Sequence, residues 1–184
     1  MVRLGTIAGL GGSLMNLKTE GAQVLYSYWD RLRDGRLMPR ATEFDLLEIA
    51  SILPNIMIHT HNDKNGFDFK FFGTALVRSV GADLTGLELS DVLEKIDVEK
   101  SIAEFNRVIT EPIALVSRFN ASASEGGDYE SEHLMLPLAN ETGVGSEIVT
   151  HAKRIIGQYD PRTFPVGAFS GQKIIDQEWS ALTR

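Results

Sequence analysis

Between Asn55 and Ile156 the period of the apolar residues changes twice, and that change restricts the possible folds more than any motif does. Phe67, Phe69 and Phe71 alternate with Asp68 and Lys70, the period-two pattern of a strand with one covered face. Asn62-Asp63-Lys64-Asn65-Gly66 supplies turn residues between that run and a strand-like run from Asn55 to His61. From Val98 to Thr110 the period becomes helical: Val98, Ile102, Phe105 and Ile109 share one face, and Pro112 stops the run. Three strand-like runs follow, Ile113–Ala121, Tyr129–Ala139 and one near Ser146–Ile156, with Leu134, Leu136 and Leu138 on one face of the second. Turn residues separate them at 124–128 and 140–143. Strands and helices in blocks give an antiparallel α+β domain, not a parallel βαβ sheet.

Upstream, Ala22, Leu25, Trp29 and Leu32 recur at helical spacing, so a helix is expected from about Glu20 to Asp34, with Gly35 as its left-handed stop. Arg31, Arg33 and Arg36 lie near its C-terminus, where cations complement the helix dipole. Thr42-x-x-Asp45 signals a short second helix, closed by Pro54. The chain therefore divides into a glycine-rich flexible lead (1–17), an N-terminal helical extension (18–54), the α+β domain (55–156) and a tail (157–184) with a short helix expected around Trp179.

Composition narrows the function. The net charge is −7, but residues 1–40 carry +3, leaving −10 on the rest, and an acidic body disfavours nucleic acid. The 184 residues contain no cysteine, which removes disulfides, thiolate metal sites and cysteine nucleophiles and fits a reducing cytoplasm. No run approaches the roughly 20 apolar residues that span a bilayer. The opening MVRLGTIAGLGGSLM is broken by glycines and lacks a small-x-small cleavage site, so a cytoplasmic chain is expected.

Several constellations are chemically suggestive and have plainer explanations. His59 and His61 share one strand face, and His151 on the last strand could approach them as a metal site; a half-exposed strand without an acidic outer shell is the better reading, and no metal is expected. Gly9-Leu10-Gly11-Gly12-Ser13 resembles a phosphate loop but has Leu14 where a dinucleotide fingerprint needs glycine. Arg36 and Arg40 are spaced like a phosphate-gripping pair, yet read as a solvated helix end. Ser131 and His133 lack a G-x-S-x-G elbow, and Glu130 and Glu132 point to the strand face opposite His133.

Three strings appear in order: Tyr28-Trp29-x-x-Leu32-Arg33-x-Gly35-Arg36-x-x-Pro39, Phe71-Phe72-Gly73-Thr74-Ala75, and Leu136-Pro137-Leu138. Ile52-Leu53-Pro54 and Asp83-Leu84-Thr85-Gly86 fall between them. Together, from Leu25 to His151, they resemble a PAS-domain family of small stand-alone bacterial proteins with a Tyr-Trp-x-x-Leu-Arg N-terminal motif. The chain departs from it at Arg40-Ala41, where the family has a small residue before the arginine, and at Leu46, where it tends to have proline.

The resemblance implies a five-stranded antiparallel sheet, with the first and last strands adjacent and a helical connection between the second and third. It also implies a cavity between sheet and central helix. Phe71, Phe72, Phe105, Phe119 and Leu136 are the expected cavity residues. Haem is not expected, since the central helix carries no histidine, nor a photoreceptor-type flavin, since there is no cysteine; the ligand expected is an unidentified small molecule. The function expected is non-catalytic sensing in bacterial signal transduction through a protein partner, with a small α+β enzyme or ligand carrier as the alternative. Leu25, Trp29 and Leu32 are expected to form a homodimer interface, because a sheet with helices on one face leaves the other uncovered; the alternative is a helix folded back on its own sheet, giving a monomer with Trp29 equally buried.

Overall fold

The computed structural model describes residues 15–93, 95–123, 127–156 and 173–182. The lead up to residue 14, with its glycine string, the centre of the turn at 124–126, and residues 157–172 lie outside the described part.

Helix α1 (Glu20–Arg33) begins where Thr19, in extended conformation, accepts the Ala22 N–H with its side chain. It ends in two left-handed residues, Asp34 (φ +47°) and Gly35 (φ +74°). Arg36 then folds back on the helix end, donating to the Leu32 carbonyl (2.7 Å) and the Arg33 carbonyl (2.8 Å) while pairing with Glu43. The expected second helix is instead three short 3₁₀ turns, Ala41–Glu43, Leu46–Ile49 and Leu53–Asn55. Asp45 caps the middle turn at Leu47, and the Tyr28 hydroxyl takes the Asp45 N–H at 2.8 Å, pinning the segment to α1.

Strands β1 (Ile56–His61) and β2 (Phe67–Phe72) form a hairpin. Asn62 Oδ1 accepts the Lys64 and Gly66 N–H groups in its turn, where Asn65 sits at φ +60°. Helices α2 (Thr74–Val80), α3 (Leu89–Val92) and α4 (Lys95–Thr110) follow, then β3 (Ile113–Ala123), β4 (Gly127–Ala139) and β5 (Gly145–Ile156). All pairings are antiparallel, in the order β2-β1-β5-β4-β3, so the first and last of these strands are neighbours as expected.

Two further expectations are corrected. Residues 173–181, assigned to a tail with a short helix, form a sixth strand, β6 (Lys173–Ala181), paired with β3. Helix cannot compete there, because the outer edge of β3 offers its main-chain groups to whatever extended segment reaches it. The sheet is also covered on both faces. α1 and the 3₁₀ turns pack on one face with Ile56, Ile58, Val116, Leu134, Leu136, Leu138 and Val149. α4 packs on the other with Phe67, Phe69, Phe72, Leu115, Met135 and Ile148. Leu25 and Trp29 are fully buried in the chain's own sheet, with the Trp29 indole N–H donating to the Pro137 carbonyl at 2.8 Å, and Leu32 is half-buried against the same core. The helix stripe expected to join two copies is already occupied within one.

Candidate functional site

The α4 face carries an aromatic wall built from β1, β2 and α4. Period-two alternation turns Phe67 and Phe69 to this side, and helical spacing brings Phe105 down onto them. Phe105 meets Phe67 edge-on at 5.1 Å between centroids, and Phe69 meets Phe72 edge-on at 5.6 Å. Edge-to-face pairs of this kind add about 0.5–1.5 kcal/mol beyond area burial.

Into this wall the sheet sets polar groups. His59 lies 4.6 Å from Phe69 and 4.7 Å from Phe105, is 1 % exposed, and neither of its ring nitrogens meets a hydrogen-bond partner among the described residues. Burial, with the nearby His133 adding a smaller effect, pushes its pKa down to about 3, so the imidazole is neutral: one nitrogen donor, one acceptor. Thr150 on β5 and Ser131 on β4 are also buried with hydroxyls lacking protein partners. Half-buried His133 meets Phe119 in a tilted contact at 4.7 Å between centroids, its pKa lowered to about 4 by burial first and His151 second. At the edge, Ser117 on β3 and Glu104 on α4 both accept from the Gln177 amide, at 3.1 and 2.9 Å.

A different polar set lies under α1. Glu132 is fully buried and accepts the main-chain N–H groups of Lys18 (2.9 Å) and Thr19 (2.9 Å), the Thr19 hydroxyl (2.9 Å) and the Arg118 guanidinium (3.1 Å). Arg118, itself 3 % exposed, also donates to Asp176 on β6 (2.6 Å) and to the Asn16 carbonyl. A buried carboxylate with this many donors ties the helix start, two central strands and the last strand together. His151 lies on the same face, its ring against Gly21 of α1, with its pKa lowered to about 4 by burial.

The residues singled out from sequence therefore divide. Phe72 and Phe105 belong to the aromatic wall, and Phe119 joins the same face through His133. Leu136 and Phe71 do not: both pack on the α1 face, so the five expected cavity residues do not share one wall. Parity explains Leu136, which is one residue from Met135, and a bulge at Ile58/His59 shifts β1 against β2 beside Phe71. His59 and His151 lie on opposite faces of the sheet and cannot meet at one ion. Arg36 is committed to capping α1, and Arg40 lies 3.9 Å from Glu43. Ser131 and His133 share a face, but the Ser131 hydroxyl has no protein partner, so no serine–histidine bond exists.

Sequence reasoning passed over His59 as part of the wall and missed Arg118–Glu132. The second was legible: a turn centred near Glu125 sets residue 118 opposite 132, as the register confirms. An arginine facing a glutamate within two apolar strands is a buried-pair signal.

No helix among the described residues is long and apolar enough to cross a membrane. A search of curated proteins finds no match to the chain. A family model described as a PAS domain matches residues 17–151, which takes in α1, the hairpin, the helical connection and the sheet through the start of β5. The match covers most of the chain and agrees with the strand order β2-β1-β5-β4-β3, and the chain belongs to the PAS-domain family.

Proposed function

We propose that this PAS domain is a non-catalytic sensory module in bacterial signalling that binds a small, largely apolar ligand on the α4 face and passes the bound state to a protein partner in the cytoplasm. The observation that carries this reading is His59. A buried donor and acceptor without protein partners costs on the order of 1–3 kcal/mol per group, and this one stands inside an aromatic wall. A ligand presenting a complementary acceptor or donor offsets that cost. Thr150 and Ser131 offer two further hydroxyls on the same side of the sheet. A neutral imidazole cannot compensate a full charge, so the polar group of the ligand is uncharged.

Sensing is favoured over catalysis because the site shows no activated nucleophile among the described residues: the Ser131 hydroxyl is not held by a base, and His59 is a weak base at about 3. Self-association through Leu25, Trp29 and Leu32 is no part of this reading, since the chain's own sheet covers that stripe.

Native mass spectrometry of the chain purified from its own host tests the proposal. The wild type should carry an additional small mass that a folded His59→Phe variant loses, and the emptied variant should melt higher than emptied wild type. A wild type with no bound mass, together with a His59→Phe variant that gains no stability, overturns it.

A further inference from the structure

β6 lies wholly outside residues 17–151, the family's matched region, and its side chains meet the sheet through polar pairs and through Trp179, which packs against the α4-side core. Ile174 and Ile175 are 44 % and 49 % exposed, the Asp176 side chain is 57 % exposed, and of the described β6 side chains only Ser180 is buried. The surface beneath is different in kind. Ile113 to Arg118 of β3 are all buried with β6 in place, and nine register pairs with β4, Leu115↔Met135 to Ala123↔Gly127, hold the inner edge of that strand. The outer edge of β3 is left to β6.

We propose that the outer edge of β3 is a strand-binding groove for an extended acidic–aromatic segment of a partner protein, with β6 as its resident occupant. Strand addition takes its affinity from the main-chain ladder and its specificity from alternate side chains. Both are visible in how β6 sits. On the α1 face Arg118 donates to Asp176 and the Asn16 N–H donates to Glu178. On the α4 face Ser117 and Glu104 hold the Gln177 amide, and the Arg107 guanidinium lies 4.1 Å from the Trp179 ring centroid. The groove thus reads acid, amide, acid, aromatic at four successive positions. Arg118, which also pairs with Glu132, meets the first of these positions, and Arg107, which also pairs with Glu111, meets the last, on an otherwise acidic body. An incoming strand replaces the β6 ladder bond for bond. Its contacts reach α4 on one face and the start of α1 on the other, so exchange is felt on both sides of the sheet.

The test uses the full chain and a labelled peptide of residues 173–182, KIIDQEWSAL. Full-length Asp176→Ala/Trp179→Ala, whose own β6 is weakened, should bind the peptide by fluorescence anisotropy. Wild type, whose tethered β6 competes at high effective concentration, should bind it at least about tenfold more weakly. Adding Arg107→Ala, an exposed position on α4, to the weakened chain should reduce binding several-fold without unfolding it. A peptide with both acids changed to lysine should not bind. The proposal is overturned if the folded double variant ignores the peptide at millimolar concentration, if the lysine peptide binds equally well, or if Arg107→Ala has no effect. A wild type that light scattering and cross-linking show to be a dimer with exchanged β6 strands assigns the groove to a second copy, and also overturns it.

Discussion

His59, His133 and His151 are kept neutral by burial, with pKa values of about 3, 4 and 4, against about 6.5 in the unfolded chain. Between those values the unfolded chain binds more protons than the folded one. Their effect is therefore absent above about pH 6.5, and stability falls as the pH drops toward 4, by up to about 1.4 kcal/mol per pH unit for each histidine. Urea melts at pH 7.5, 6 and 5 should show that slope, and His59→Phe should remove one histidine's share. A midpoint independent of pH over this range contradicts the assignment. Glu132 is the other sensitive residue. Glu132→Ala leaves Arg118 buried with only the solvent-exposed Asp176 as counter-charge, and should cost about 3–5 kcal/mol. Arg118→Met/Glu132→Leu should recover most of that loss in chemical denaturation. A single variant as stable as wild type would mean the pair is solvated.

At the scale of elements, α1 depends on how closely its first turn approaches β5. Gly21 lies where a Cβ would stand 2.1 Å from His151 Nε2. Helix propensity alone predicts that Gly21→Ala stabilises α1 by about 1 kcal/mol. The overlap with a buried ring predicts the reverse, a net loss of about 1–3 kcal/mol, and Gly21→Ala/His151→Ala should restore helix docking. Thermal melts of the single and double variants decide between propensity and packing. Trp29 anchors the middle of the same helix. Trp29→Ala should cost about 3–5 kcal/mol through the cavity it leaves, while the mass measured by light scattering stays that of the wild type. A change of mass on that substitution would return the α1 stripe to an intermolecular role.

For the molecule as a whole, its two tryptophans report on different layers of stability: Trp29 is buried between α1 and the sheet, and Trp179 is half-exposed on the edge strand β6. Local stability follows buried apolar contact, so β6 should open before the central strands do. Followed by fluorescence in single-tryptophan chains, the Trp179 signal of the Trp29→Phe variant should change at lower urea than the Trp29 signal of the Trp179→Phe variant, after correction for each variant's own stability. Coincident transitions would make β6 part of one cooperative unit.

The sequence by itself determined the class and the first five strands. Alternation through Phe67-Asp68-Phe69 and the helical period from Val98 to Ile109 are local properties, set by which side chains share a face, and the structure keeps both. Local parity also placed Leu134, Leu136 and Leu138 together. Parity cannot say which face meets which helix, because that choice is made by α1, more than 100 residues away from Leu136 in the chain. Leu136 falls on the α1 wall for that reason and Phe71 because of the bulge beside it, and of the two places open to Leu25 and Trp29 the structure takes the chain's own sheet. β6 shows the same limit most sharply. Ile174 to Trp179 is short and carries no decisive period, so its conformation was fixed by the unpaired edge of β3 and by the Arg118–Asp176 bond across 58 residues. Where neighbours along the chain supply the burial, the sequence suffices; where main-chain groups and buried charges are satisfied only by distant segments, the tertiary structure decides.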